Sequence, residues 1–118
     1  MIIKQIDIDD VKKEFRDIKL DLIDQYAIYF GLFVDDILVG ITGFQYHVDY
    51  IYLCHAFIKE EYRKKGYYTE LFNYRKQYIE QNYSPDINII VYCNQHTIEK
   101  FISNGYKIDK FLVKMVKE

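Results

Sequence analysis

Residues 51–81, IYLCHAFIKEEYRKKGYYTELFNYRKQYIEQ, constrain the fold of this chain more than any other stretch. Residues 51–58 are an apolar run of strand length, followed by a charged connector of Lys59, Glu60 and Glu61. The chain then turns at Arg63, Lys64, Lys65 and Gly66 into a segment carrying Leu71, Phe72 and Ile79 at helical spacing. A helix that starts straight after a strand presents unpaired backbone N–H groups and the positive end of its dipole at one spot. Gly66 lets the backbone approach an anion closely, and three adjacent cations raise the local potential. Phosphate suits such a turn, although a basic turn before a helix is more often only a solvated loop.

The 118 residues are expected to form one domain, 1–118, with half of them apolar. A formal charge of −2 argues against a nucleic-acid or anionic-membrane binder, because neither polyanion is attracted overall. No run has transmembrane length, and Met1, Ile2, Ile3 and Lys4 begin a strand-like segment rather than a signal peptide. Cys54 and Cys93 sit in apolar strand-like runs without metal-ligand spacing, which reads as two reduced core thiols in a cytoplasmic protein with no metal. Neither a Gly-x-x-x-x-Gly-Lys-Ser/Thr nor a Gly-x-Gly-x-x-Gly nucleotide loop occurs.

Taken in order, residues 2–6 read as a strand, and Val11, Phe15, Ile18 and Leu22 form the apolar stripe of a helix. Residues 26–34 and 37–46 read as a hairpin around Asp35 and Asp36, and 47–49 as the turn into the central strand. After the central helix and a break at Pro85, residues 87–92 predict a strand. Asn94 caps a helix containing Ile98, Phe101 and Ile102, Gly105 ends it, and 111–116 close the chain as a strand. Successive apolar residues in the hairpin suit a sheet covered on both faces, in a mixed α/β layer architecture.

The strand followed by Arg63-x-x-Gly66-x-x and then Leu71 and Phe72 resembles the acyl-CoA-binding core of the GCN5-related N-acetyltransferase (GNAT) family. Residues 94–106, from Asn94 through Phe101 and Gly105 to Tyr106, are similar to that family's Asn…Tyr-x-x-x-Gly-Phe segment. The resemblance spans residues 26–118 and is loose before them, where there is room for one helix instead of the usual two. It implies an α/β (mixed α+β) GNAT fold: a mixed, mostly antiparallel sheet splayed between the fourth and fifth strands, with helices on both faces. It also implies an acetyl-CoA-dependent N-acetyltransferase in which a primary amine of a small molecule or protein attacks the thioester directly. By position, backbone groups of Ala56, Phe57 and Ile58 would bond the pantetheine arm and the acetyl oxygen. Amides of Arg63, Lys64, Lys65, Gly66, Tyr67 and Tyr68 would hold the pyrophosphate. The side chain of Lys64, Lys65 or Arg63 would reach the 3′-phosphate, and Asn94 would contact the pantetheine.

Two positions depart from the pattern. Tyr68 stands where a second Gly or Ala is common, so its ring must turn away from the pyrophosphate. Phe101, on the cofactor side, stands where many members place a thiolate-protonating Tyr, and Phe has no proton to give. A CoA thiol has a pKa of roughly 8.5, so its thiolate departs tolerably without an acid; Tyr92 or water is a substitute. Tyr52, Cys54 and His55 are alternative bases or acceptor-side groups, imidazole being the one that ordinarily titrates near neutrality. Tyr52 and Cys54 share one strand face and His55 the other, unless the strand bulges. The rival reading is a catalytically weak or inactive GNAT-fold module that binds acyl-CoA or a protein partner. A third is function arising only in a homodimer, with which the shortened N-terminal region is compatible.

Overall fold

The computed structural model describes residues 1–18, 25–94, 97–110 and 115–117. Its elements are β1 (Ile2–Ile6), α1 (Ile8–Glu14), β2 (Ile28–Val34), β3 (Ile37–Tyr46), β4 (Tyr50–Ile58), α2 (Tyr67–Asn82), β5 (Asn88–Ile90) and α3 (Ile98–Ser103). The five strands form one sheet in sequential order, antiparallel from β1 to β4, with β5 parallel to β4. Among the described residues no helix is long and apolar enough to cross a membrane.

Local chemistry accounts for the hairpin. Asp35 and Asp36 both take left-handed dihedrals, φ 49° and 65°, as the twist-matching two-residue turn demands. Asp tolerates that region better than most residues, which explains why Asp-Asp serves here without glycine. Each sheet face then buries its own core. Phe30, Leu32, Val39, Phe44, Ile51, Leu53 and Ile58 pack with Leu71, Phe72 and Ile79 of α2 and Phe101 of α3. Val11 of α1 and Phe15 pack with Tyr29, Leu38 and Ile41 on the opposite face.

Several expected boundaries move. The first helix stops at Glu14, because Phe15 leaves helical dihedrals (φ −129°, ψ 64°) and sets its ring edge-on against Phe57 at 5.4 Å. Ile18 still packs against that core from a turn, and Leu22 lies outside the described residues. The second strand starts at Ile28, with Tyr26 exposed. The fifth strand is three residues long, not six, since β4 pairs with it only at Tyr50, Ile51 and Tyr52. The closing strand expected at 111–116 lies mostly outside the described residues; Met115 and Val116 are exposed and not in a strand.

Close backbone packing at β3 makes one position sensitive. A Cβ on Gly43 would lie 2.7 Å from the Tyr29 ring and 3.2 Å from the Ile28 carbonyl. Tyr29 is fully buried and has no room to retreat. Gly43→Ala is therefore expected to cost roughly 1–3 kcal/mol, read as a lower urea midpoint. An unchanged midpoint would contradict this packing.

Candidate active site

The turn before α2 gathers open backbone amides, a candidate anion cradle. A short 3-10 turn at Glu60–Tyr62 carries the chain off β4, and Lys64 (φ 63°) and Gly66 (φ 85°) both adopt left-handed dihedrals. The first helical hydrogen bond runs from the Glu70 amide to the Gly66 carbonyl at 3.1 Å. The amides of residues 66–69 consequently have no helical acceptor and gather at the positive end of a 16-residue helix. A Cβ on Gly66 would meet nothing within 4 Å, so the space in front of the turn is open.

The cations divide. Arg63 folds back, its Nε donating to the Ile58 carbonyl at 2.9 Å and its guanidinium lying 5.3 Å over the Phe57 ring. That leaves Lys64 and Lys65 exposed at the turn, Lys65 lying over the Tyr62 ring at 5.6 Å. Lys100 joins them from α3, donating to the Thr69 hydroxyl at 3.0 Å in the first turn of α2. Sequence reasoning passed over Lys100 because it counted only cations adjacent in the chain.

Beside this turn the sheet divides. β4 and β5 pair as far as Tyr52 and Ile90 and then part. At the parting point β4 carries a bulge: Thr42 pairs with Ala56 and Gly43 with Cys54, leaving His55 as the extra residue at φ 46°. Beyond it the β5-facing edge of β4, including exposed Ala56, has no strand partner among the described residues. A V-shaped slot thus opens toward the anion cradle, with Ile58 at its wide end.

The bulge also sorts the candidate side chains. Tyr52 and Cys54 pair with Gln45 and Gly43, and a Cβ on Gly43 would point at Tyr29, placing all of them on the α1 face. His55 would lie on the opposite face in a regular strand; instead its ring stacks on Tyr29 with centroids 6.2 Å apart. Tyr52, Cys54 and His55 therefore share the α1 face. Tyr92 joins them, its exposed ring set against Tyr52 at 5.9 Å. Two further groups complete this polar patch: buried Gln45, whose Oε1 accepts from His47 Nε2 at 2.8 Å, and His47 itself, stacked on Tyr50 at 4.8 Å. Gln45 was invisible in an apolar strand sequence, and His47 read as a turn residue.

The opposite side of the slot is aromatic. Phe101 is buried, edge-on to Phe72 and to Tyr106, each at 5.1 Å. A Schellman end to α3 fixes this arrangement: Gly105 (φ 92°) donates to Ile102 and Tyr106 to Phe101, which brings Tyr106 back over the Phe101 ring. Asn94 starts the same segment, its Oδ1 accepting from the Thr97 amide at 3.2 Å. The Tyr68 ring packs toward Phe72 with centroids 6.4 Å apart. Burial raises the phenol pKa of Tyr68 and of Tyr106, partly offset by the positive charge of Arg75.

No protein-family model and no curated protein matches the sequence. Solved structures do match the fold. A GCN5-related N-acetyltransferase from Ralstonia eutropha JMP134 superposes with a TM-score of 0.71 at 11% identity, covering 98% of this chain and 97% of that one. A possible acetyltransferase from Clostridium difficile 630 gives 0.64 at 20% identity, covering 99% and 97%. The PaiA N-acetyltransferase of Thermoplasma acidophilum, in complex with coenzyme A, gives 0.66 at 16% identity, covering 92% and 90%. The chain has the GNAT fold.

The raised phenol pKa values have a pH consequence. Folding holds the Tyr68 and Tyr106 protons more tightly than the unfolded chain, whose phenols titrate near 10.0. Their contribution is complete below that value and is lost as pH rises through the higher folded values. Urea midpoints should fall above about pH 10, and less steeply in Tyr68→Phe. Identical slopes for the two proteins would contradict burial of this phenol.

Proposed function

We propose that the slot between β4 and β5 holds an acyl-CoA and that the protein transfers its acyl group to a primary amine. The observation that carries this reading is the continuity of a strand edge, without a strand partner among the described residues, with the open amides of the turn before α2. Pantetheine amides have the donors and acceptors that a bare strand edge lacks, so the arm lies there as an added strand. Ala56, Phe57 and Ile58 offer that edge. The amides around Gly66 receive the pyrophosphate, and Lys64, Lys65 and Lys100 stand near enough to the cradle to neutralise phosphate charge. The CoA-bound PaiA acetyltransferase, which has the same fold, supports this cofactor.

In the reaction the amine nitrogen attacks the thioester carbonyl carbon. The new C–N bond forms, the C–S bond breaks, and sulfur leaves as the thiolate with the electron pair. A β4 amide beyond the bulge stabilises the carbonyl oxygen as it gains charge. The amine approaches from the α1 face, where Tyr52, Cys54 and His55 lie, and loses its proton there to one of them or to water. Phe101 supplies apolar packing and no proton, so Tyr92 or solvent protonates the thiolate. That same Phe101 favours a second reading, an acyl-CoA-binding module with little or no turnover.

Calorimetric titration with acetyl-CoA tests cofactor placement, with ATP as the control ligand. Gly66→Glu places bulk and negative charge where the pyrophosphate lies, and should weaken binding by about a hundredfold or more. Gly66→Ala carries the same backbone strain without the charge and should lose far less. Equal losses in both variants, or tight wild-type binding untouched by Gly66→Glu, would move the cofactor elsewhere. No binding by folded wild-type protein would overturn the proposal.

A further inference from the structure

Arg75 occupies a position that physical chemistry disfavours. It lies on the face of α2 that also carries Leu71, Phe72 and Ile79, and only 4% of it is exposed. Its Nη1 donates to the Gly43 carbonyl at 3.0 Å, and its guanidinium stands 6.0 Å from the Phe72 ring centroid. Tyr68, Tyr106 and Cys54 also lie within electrostatic reach, and no ion pair joins Arg75 to a carboxylate among the described residues. A guanidinium carries five N–H donors, and a buried one without an anion is strongly unfavourable. An apolar side chain would fill this helix position at no such cost.

Its location gives the charge a use. Gly43 pairs with Cys54, the residue just before the bulge, so Arg75 lies beneath the closed end of the slot. Leu53 and Val91, where β4 and β5 part, line a cavity of about 1060 Å³ together with Arg75, Phe72, Cys93 and Tyr106. A second buried polar group lies on the same face of the sheet. Thr42 pairs with Ala56, alternates with Phe44 and Gly40 toward α2, and is 1% exposed. Its hydroxyl has no hydrogen-bond partner among the described residues. The cavity thus sets apolar Leu53, Phe72 and Val91 beside the Arg75 guanidinium, with Lys76, Glu80 and Asp109 also on its lining.

We propose that the acyl group carried by this protein's CoA ester ends in a carboxylate, which pairs with Arg75 at the closed end of the slot. This rests on the acyl-CoA reading above and names its substrate class: a short dicarboxylic acid linked to CoA through one carboxyl group. Transfer forms the C–N bond and breaks the C–S bond as for a neutral acyl group, and the distal carboxylate is unchanged throughout. A guanidinium fork binds a carboxylate through two parallel hydrogen bonds, giving geometric selection as well as charge.

Calorimetry with CoA, butyryl-CoA and succinyl-CoA tests it, since the two esters match in carbon number and differ in the terminal charge. Each ester's affinity is taken relative to CoA. Wild-type protein should prefer succinyl-CoA over butyryl-CoA by roughly tenfold or more, and the ratio should fall to about one in Arg75→Leu. Equal wild-type affinities for the two esters, with CoA still bound, would overturn this proposal and leave the acyl-CoA reading intact. Failure of all three ligands to bind would overturn both. The wild-type comparison decides the matter even if Arg75→Leu does not fold.

Discussion

The edge of β4 beyond the bulge, which has no strand partner among the described residues, is the constraint around which the rest of this molecule is arranged. Strand edges expose N–H and C=O groups that need partners, and an edge in the middle of a sheet is normally closed by its neighbour. Here β5 stays in register for only three residues, and the bulge at His55 turns β4 as the two strands diverge. A left-handed non-glycine residue is an uncommon conformation that persists where its surroundings hold it in place. Stacking of His55 on buried Tyr29 and the flanking pairs Gly43 with Cys54 and Thr42 with Ala56 supply that hold.

Everything near the slot follows from keeping it open. α2 packs Leu71, Phe72 and Ile79 against the sheet beneath it, so the N-terminus of the helix is fixed beside the end of β4. α3 docks through Phe101 on Phe72, and Lys100 ties the two helices together at Thr69. The Schellman turn at Gly105 then locks Tyr106 over Phe101.

The sequence announced the main elements because their signals are local. The Asp35–Asp36 turn, the glycine before α2 and the Gly105 end of α3 each rest on residues whose backbone preferences act within a few positions. The α2 stripe was legible at Leu71, Phe72 and Ile79, yet Arg75 lies on the same face, and its charge disguised it as a solvated position. Gln45 was hidden likewise, since its role arises from pairing across to Tyr52 and from His47. The face of His55 depended on a bulge whose position comes from the register between two strands. The early end of α1 depended on Phe57, more than forty residues away in the chain. Long-range packing decided each of these, and no short window of sequence contains it.

The GNAT fold is an architecture shared with solved acetyltransferase structures, and the proposed cofactor site is the slot between β4 and β5. The most direct measurement is an amide NMR titration of the assigned protein with CoA. Progressive shifts are expected at Ala56, Phe57 and Ile58 along the β4 edge and at the amides from Lys65 to Thr69, with β1 and the Asp35–Asp36 turn unmoved. Shifts centred on β1 or the hairpin turn, or none at saturating CoA, would contradict it.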